Sequence, residues 1–365
     1  MEAGDAMKIK IITRGAVIRI AILLAFLTAG MVWCYFTMLK TPGSSWSGPR
    51  EPLGAEELLM RDALRSHVEH FAGTIGERNI LNYRKLAQSA DDIEKYFIQI
   101  GLDVRRISFK KDNLSFDNIE ASKKGATQPG SIIVIGAHYD SCGSTPGAND
   151  NATGVASMLA LAKSASKKTY NKTIRFVAFV NEEPPFFKGS QMGSLVYARF
   201  CKENKDNITA MLSLETMGYY TDEKNSQRYP FPFDKVYPSM GNFIGFVGNY
   251  ESRQLVREVT ASFRRNCKFP SESGAVPSSI AGAGWSDHWS FWQIGVPALM
   301  VTDTAPFRYP YYHRKEDTPD KVNYDCLARV TAGLDKVIDE LAGFTANQTP
   351  KTELANSVAK VNNSN

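Results

Sequence analysis

The chain has no large excess of charge of either sign: 43 Lys and Arg stand against 38 Asp and Glu over 365 residues, a formal +5. The first forty residues hold +3 of that, from Lys8, Lys10, Arg14, Arg19 and Lys40 against Glu2 and Asp5, which leaves +2 for everything after residue 40. A basic stripe interleaved with aromatics is also missing, and without that electrostatic footprint nucleic acid is excluded as the expected partner. Cysteine is scarce. Cys142, Cys201, Cys267 and Cys326, the four beyond the N-terminal region, show none of the close paired spacing of a thiolate zinc site. They could close two disulfides in an oxidising compartment or serve as small buried hydrophobes, and no pairing follows from them. No internal repeat is present. What the chain does have, 43% hydrophobic and 22% charged residues, is enough for one large α/β domain plus a short appendage, and excludes a disordered or fibrous class.

The basic residues at the head flank an apolar run. Ile20 to Leu39 is uncharged for twenty residues, the length that spans a bilayer. Four basic residues precede it and only Lys40 follows closely, so the positive-inside rule places residues 1–19 in the cytoplasm and the rest of the chain across the membrane, periplasmic or extracellular. A cleaved signal peptide is the rival reading. The length of the run and the lack of a small-x-small cleavage site after it favour a signal-anchor, and either way the domain is exported. Of the six Asn-x-Ser/Thr triplets, Asn113, Asn171 and Asn207 are potential glycosylation acceptors, whereas Asn151-Ala-Thr153 lies where a glycan would obstruct the proposed site.

Residues 40–56 read as a flexible linker, rich in Pro, Gly and Ser, and 346–365 as a polar disordered tail. Between them, 57–345 forms the domain. Apolar spacing predicts helices over 56–71 and 82–100, then a strand pair at 104–109 and 116–121, then an alternating strand and helix rhythm. That rhythm implies a mixed, largely parallel central sheet with helices on both faces, a three-layer α/β sandwich.

Chemistry-bearing residues gather at the expected strand ends, where open α/β sheets hold their ligands. The apolar run 132–135 leads into His138-Tyr139-Asp140 and then Gly147-Ala148-Asn149-Asp150-Asn151; the run 174–180 leads into Asn181-Glu182-Glu183; the strand around 211–214 ends in Glu215; and 297–301 is followed by Tyr312-His313. Two imidazoles with several carboxylates suit zinc. Taken singly, Asp150 with Asn151 could simply cap the following helix. His67 and His70 sit on an early helix away from any motif and read as surface or packing residues.

The ordered series His138-Tyr-Asp140, Gly147-Ala-Asn-Asp150-Asn, Asn181-Glu182-Glu183, Leu214-Glu215, Ser286-Asp287-His288 and Tyr312-His313 with Asp317-Thr-Pro-Asp320 resembles metallopeptidase family 28. That family includes leucyl aminopeptidases, glutamate carboxypeptidase II and glutaminyl cyclases. The resemblance covers about residues 57–345 and implies a zinc-exopeptidase fold with two Zn2+ per chain. It implies that Asp150 bridges the two, with His138 and Glu215 completing one metal and Glu183 and His313 the other. Glu182 is then the general base, and Tyr312 the donor to the oxyanion. Glu215 stands where the family often has Asp. Asp140 would orient His138 from behind. Asp287 and His288, among Trp285, Trp289 and Trp292, read as support for the pocket from a packed segment.

The implied activity is exopeptidase action on peptides, most simply from the amino end, since a carboxylate-rich metal site can hold a substrate ammonium. A carboxypeptidase would need cations for the terminal carboxylate, for which only Arg308 and Lys188 offer themselves. A glutaminyl cyclase-like acyltransferase using one zinc, and a catalytically silent binding ectodomain of the transferrin receptor type, are the alternatives. A silent domain would have lost ligands or base, and this chain keeps them all. Side-chain preference and oligomeric state do not follow from the sequence.

Overall fold

The computed structural model describes residues 13–345; the expected disordered tail and most of the head expected to be cytoplasmic lie outside the described residues. Helix α1 (Arg14–Cys34) starts six residues before the predicted span, because the Thr13 hydroxyl caps it by accepting from the Ala16 amide at 3.2 Å. It runs on through wider helical turns to Leu39. The whole segment Arg14–Leu39 is 26 residues long with a mean hydropathy of 2.2 over its most apolar stretch and no buried residue there, long and apolar enough to cross a membrane.

Residues 41–52, expected as a tether, run along the domain. The Arg264 guanidinium donates to the Thr41 hydroxyl and to the carbonyls of Pro42 and Gly43, the Ser45 hydroxyl accepts the Ser271 amide, and Arg329 donates to the Glu51 carbonyl. Pro, Gly and Ser lower the cost of an irregular path, but whether that path is free depends on the donors it meets, which lie more than 200 residues away in sequence.

The helices α2 (Ala55–Val68) and α3 (Tyr83–Gln99) follow, then the hairpin of β1 (Asp103–Lys111) and β2 (Leu114–Lys123), then β3 (Gln128–His138), α4 (Thr153–Ser166), β4 (Lys172–Phe179), α5 (Gly193–Glu203) and β5 (Asn207–Glu215). The second half comprises β6 (Ile244–Gly248), α6 (Arg253–Asn266), β7 (Ser271–Ala275), α7 (His288–Trp292), β8 (Ala298–Thr302), α8 (Ala305–Arg308) and α9 (Tyr324–Ala342). The eight strands form one sheet in the order β1-β2-β4-β3-β5-β8-β6-β7. Pairing is parallel along β4-β3-β5-β8 and between β6 and β7, antiparallel elsewhere. This is the expected three-layer α/β sandwich with a mixed sheet.

Alternation along the central strands builds its two cores. Ile133, Ile135 and Ala137 of β3, with Ile174, Phe176 and Ala178 of β4, pack into the larger core beneath α2, α3, α4, α6 and α9. Ile132 and Val134, with Val177 and Phe179, face the smaller core under α5 and α7. In β5 the parity breaks: Ile132 pairs with Ile208 but Ile133 with Ala210, so Thr209 is an extra residue that sends Ile208 to one face and Ala210, Leu212 and Leu214 to the other. Gly136 is required on β3, since a Cβ there would stand 2.3 Å from the Phe179 ring. With so many Ile, Leu and Phe side chains fully buried on both faces, each contributing about 1.5–3 kcal/mol, the three parallel strand ends of β4, β3 and β5 are rigidly held side by side.

Candidate metal centre

Those three ends carry the site. Neighbouring strands lie about 4.8 Å apart, so His138 at the end of β3 has the Glu182-Glu183 turn after β4 on one side and Glu215 at the end of β5 on the other. Asp150 comes from the loop between β3 and α4, and His313 from the loop before α9. All five expected ligands and Glu182 converge. His138 Nε2 is 3.2 Å from Glu215 Oε2, 3.5 Å from Asp150 Oδ1 and 3.9 Å from Glu182 Oε2. His313 Nε2 is 3.1 Å from Asp150 Oδ2 and 3.3 Å from Glu183 Oε2. Asp150 thus turns one oxygen to each imidazole.

Donors at about 2.0–2.1 Å from a tetrahedral ion are roughly 3.3 Å from one another, close to the 3.1–3.5 Å separations within each group. Hydrogen bonding alone cannot satisfy the cluster. A single imidazole N–H has one proton to donate, yet His138 Nε2 faces three carboxylates. His138 Nε2, Asp150 Oδ2 and Glu183 Oε1 are buried with no hydrogen-bond partner. Divalent cations fit this donor set.

The electrostatics describe the same crowding. Burial opposes protonation of His138, but Glu215 and Glu182 outweigh it and hold its pKa well above the ordinary value. Burial and then Asp150 push Glu183 up to about 8, and burial, with Glu183 and Glu215, raises Glu182 far above the carboxylate range. Burial would raise Asp150 too, but its contacts with both imidazoles lower it instead.

Several groups in the same motifs position the ligands. The Asp140 carboxylate accepts the backbone amides of Glu182 and Glu183 at 3.1 and 3.0 Å and also lies 3.6 Å from His138 Nδ1, which meets the Asp140 carbonyl oxygen at 3.2 Å. Asp140 thus backs His138 with both its carbonyl and its carboxylate, and the same carboxylate ties the glutamate turn to β3. Asp317 accepts the amides of Asn149 and Asp150 and the Tyr309 hydroxyl. The two asparagines flanking Asp150 lash its loop to β5: Asn151 donates to the Leu214 carbonyl and accepts from the Thr216 amide, and Asn149 accepts from the Gly218 amide. Asn151 is fully buried, so its triplet is no glycosylation site in the folded domain. Gly147, with φ +63° and a would-be Cβ 2.4 Å from the Asp150 carbonyl, lets this loop turn back on itself. Asn181, Thr216 and His313 also have positive φ. For non-glycine residues that conformation costs on the order of 1 kcal/mol or more each and clusters at functional sites.

Arg78 gave no signal in the sequence. It is buried, and its guanidinium donates to the carbonyls of Phe71, Gly76, Tyr139, Pro146 and Gly147, pinning both ends of the loop between His138 and Asp150. Arg78→Met is expected to destabilise the metal-free protein by about 3–5 kcal/mol, because buried carbonyls lose their donor. Chemical unfolding midpoints would measure this, and a change under 1 kcal/mol would remove the pinning role.

Tyr312 stacks on His313 with ring centroids 3.9 Å apart, and burial raises its pKa so that the phenol keeps its proton. Ser286 donates to Glu215 Oε2 at 2.7 Å. Asp287 is fully buried with neither oxygen hydrogen-bonded, and burial pushes it up to about 7. His288 Nε2 donates to the Ala283 carbonyl at 2.8 Å and the ring packs edge-on against Trp292, inside a packed segment as expected. His70 pairs with Asp92, and His67 packs on Tyr96, both away from the centre. Arg308 is buried and directs its guanidinium at Gln227, Gly241 and Phe243, and Lys188 lies over the Trp289 ring.

Asp303, fully buried behind the site, accepts from Asn149 and the Tyr219 amide, and burial pushes its pKa up to about 7. An unfolded Asp titrates near 3.9. The folded state therefore binds the extra proton between about pH 4 and 7, and stability falls as pH rises through that window and stays lower above it. Asp303→Asn is expected to remove this slope, worth on the order of 4 kcal/mol. Unfolding midpoints of metal-free wild type and variant at pH 5 and pH 8 would show it; parallel shifts in both would contradict it.

The fold and the site together define a member of peptidase family M28: the family's sequence model matches residues 118–338, over half of the chain. Among its relatives is the uncharacterized protein YfbL of Escherichia coli (strain K12), 36% identical over 282 residues that cover 75% of this chain and 86% of that one. Aminopeptidase YwaD of Bacillus subtilis is 27% identical over 199 residues, 54% of this chain but 38% of YwaD. In fold the chain is similar to BSAP, a zinc aminopeptidase from Bacillus subtilis (TM-score 0.63, 16% identity, covering 79% of this chain and 96% of that one). It is also similar to the glutaminyl cyclase of Fimbriiglobus ruber (TM-score 0.59, 20% identity, 80% and 99%).

Proposed function

We propose that this protein is a membrane-anchored zinc exopeptidase that removes residues from the amino end of peptides. The observation that carries the proposal is Asp150, whose two oxygens lie 3.5 and 3.1 Å from two different imidazoles, each backed by its own glutamate. In this reading His138, Glu215 and Asp150 would hold one zinc ion, and Glu183, His313 and Asp150 would hold a second. Bound there, zinc would supply Lewis acidity toward the substrate carbonyl and make a water easier to deprotonate.

The chain's own residues do the rest. Glu182 is held by Asp140 at the edge of the cluster, and its raised pKa suits it to take a proton from water and return it to the leaving amine. Tyr312, kept neutral by burial, donates to the developing oxyanion. A largely apolar cleft of about 870 Å³, its open mouth included, adjoins Glu215 and Tyr312 and is walled by Tyr229, Tyr237, Phe243, Ile280, Trp285 and Phe307. It suits a large apolar side chain at the substrate terminus. Helix α1 anchors the chain in this reading, with the basic head cytoplasmic and the domain, residues 57–345, outside.

The names of relatives support this: aminopeptidase YwaD among sequences and BSAP among folds. The glutaminyl cyclase neighbour makes cyclisation the reading to exclude. Full-length protein in detergent is expected to contain about two zinc per chain and to cleave short peptides with free amino ends, but not amino-blocked ones, with activity lost to chelator. Cleavage of amino-blocked peptides from the carboxyl end would overturn the aminopeptidase assignment. Cyclisation of an amino-terminal Gln peptide without hydrolysis, at one zinc per chain, would overturn the peptidase.

A further inference from the structure

Cys142 has no part in the assignment above, yet its Sγ, a Glu183 carboxylate oxygen and a His313 ring nitrogen all lie within 4.8 Å of one another. Its backbone is fixed. The preceding Ser141 donates its amide to the Arg78 carbonyl and its hydroxyl to the Thr145 carbonyl, and the Cys142 carbonyl accepts the Thr145 amide at 3.0 Å. The thiol thus sits on a turn braced by the same buried Arg78 segment that braces Asp150. A free cysteine alone would mean nothing, but here the neighbouring groups ask for a further partner. Glu183 and Asp150 are both buried, and Glu183 Oε1 and Asp150 Oδ2 have no hydrogen-bond partner. The corresponding group on the other side of Asp150, His138 with Glu215, includes no thiol among the described residues. All five cysteines are free, so Cys142 is not committed to a disulfide.

We infer that Cys142 is a thiolate ligand of the cation held by Glu183, His313 and Asp150, which makes the two metal positions chemically unequal: one with nitrogen and oxygen donors, the other with a sulfur as well. This rests on the two-metal reading above. A zinc–sulfur bond of about 2.3 Å and zinc–nitrogen or zinc–oxygen bonds of about 2.0–2.2 Å share a tetrahedral centre when the donors are roughly 3.3–3.6 Å apart. The Cys142, Glu183 and His313 donors, within 4.8 Å of one another, reach those separations by closing in by about an ångström. Thiolate is the softest protein donor and selects zinc over the hard cations magnesium and calcium. The thiol proton is released to solvent as the metal–sulfur bond forms.

Cobalt(II) is the probe, because a thiolate bound to it gives an intense near-ultraviolet charge-transfer band that nitrogen and oxygen ligands lack. Metal-free full-length protein in detergent is titrated with cobalt. Two equivalents are expected to bind, one of them with the band. In Cys142→Ser the band is expected to vanish, and that equivalent to weaken by at least the roughly 10–100-fold that outer partners of a metal site are worth. The other equivalent is left unchanged. Two bound cobalt ions without the band in the wild type, or a band that persists in Cys142→Ser, would overturn the ligand while leaving the two-metal site standing. Less than one cobalt per chain would defeat the two-metal reading and the ligand with it. Should the variant not fold, wild-type protein still decides: iodoacetamide labelling of Cys142, located by peptide mapping, is expected to be blocked by zinc at two equivalents. Undiminished labelling would refute coordination.

Discussion

Glu182→Gln is expected to lower kcat by about 10²–10⁴-fold, the usual worth of a positioned proton-transfer group, while leaving zinc content and KM little changed. The substitution keeps the side chain's size and its backbone hydrogen bond to Asp140, since that bond uses the Glu182 amide. It removes only the proton acceptor. Glu182 lies 3.9 Å from His138 Nε2, farther than Asp150 or Glu215, so a change that emptied the metal site would point to a ligand role rather than a base. The variant should also lose the part of the wild-type acid limb that the Glu182 carboxyl supplies. Turnover within tenfold of wild type would sink the assignment.

The second large effect is expected at Asp150. Asp150→Ala should take zinc content from about two per chain to below one and abolish turnover, whereas His313→Ala should remove only one metal. The asymmetry follows from geometry: Asp150 faces both imidazoles, and His313 faces only Asp150 and Glu183 among the carboxylates paired with it. Stability should separate a metal role from a merely structural one. Asp317 holds the loop through the Asn149 and Asp150 amides, contacts that alanine keeps. Deleting the Asp150 carboxylate should cost the metal-free protein its contacts with the two imidazoles, and in addition erase the stabilisation that zinc confers on the wild type, an increment a merely structural role would leave in place. Full zinc content in Asp150→Ala would contradict the bridge.

Much of the fold was legible because its periodicities are local. The helices at 56–71 and 82–100 came out as α2 and α3, the strand pair as the β1-β2 hairpin, and the apolar runs before His138, Glu182 and Glu215 as the three adjacent parallel strands. The limits were equally physical. A capping hydroxyl at Thr13 carried α1 back to Arg14, and distant arginines held residues 41–52 against the domain. Composition reports neither, because both depend on a partner rather than a pattern.

By itself the sequence determined the order of strand and helix, the apolar N-terminal run and the identity of the acids and imidazoles at strand ends, since each is written in neighbouring residues. Only the tertiary structure decided that Asp150 turns one oxygen to each imidazole, that the Asp140 carboxylate serves the glutamate turn as well as His138, and that Arg78 and Cys142 stand beside the centre at all. The reason is that a buried polar group is satisfied by whatever the fold brings within about 3 Å of it, and that distance has no counterpart along the chain.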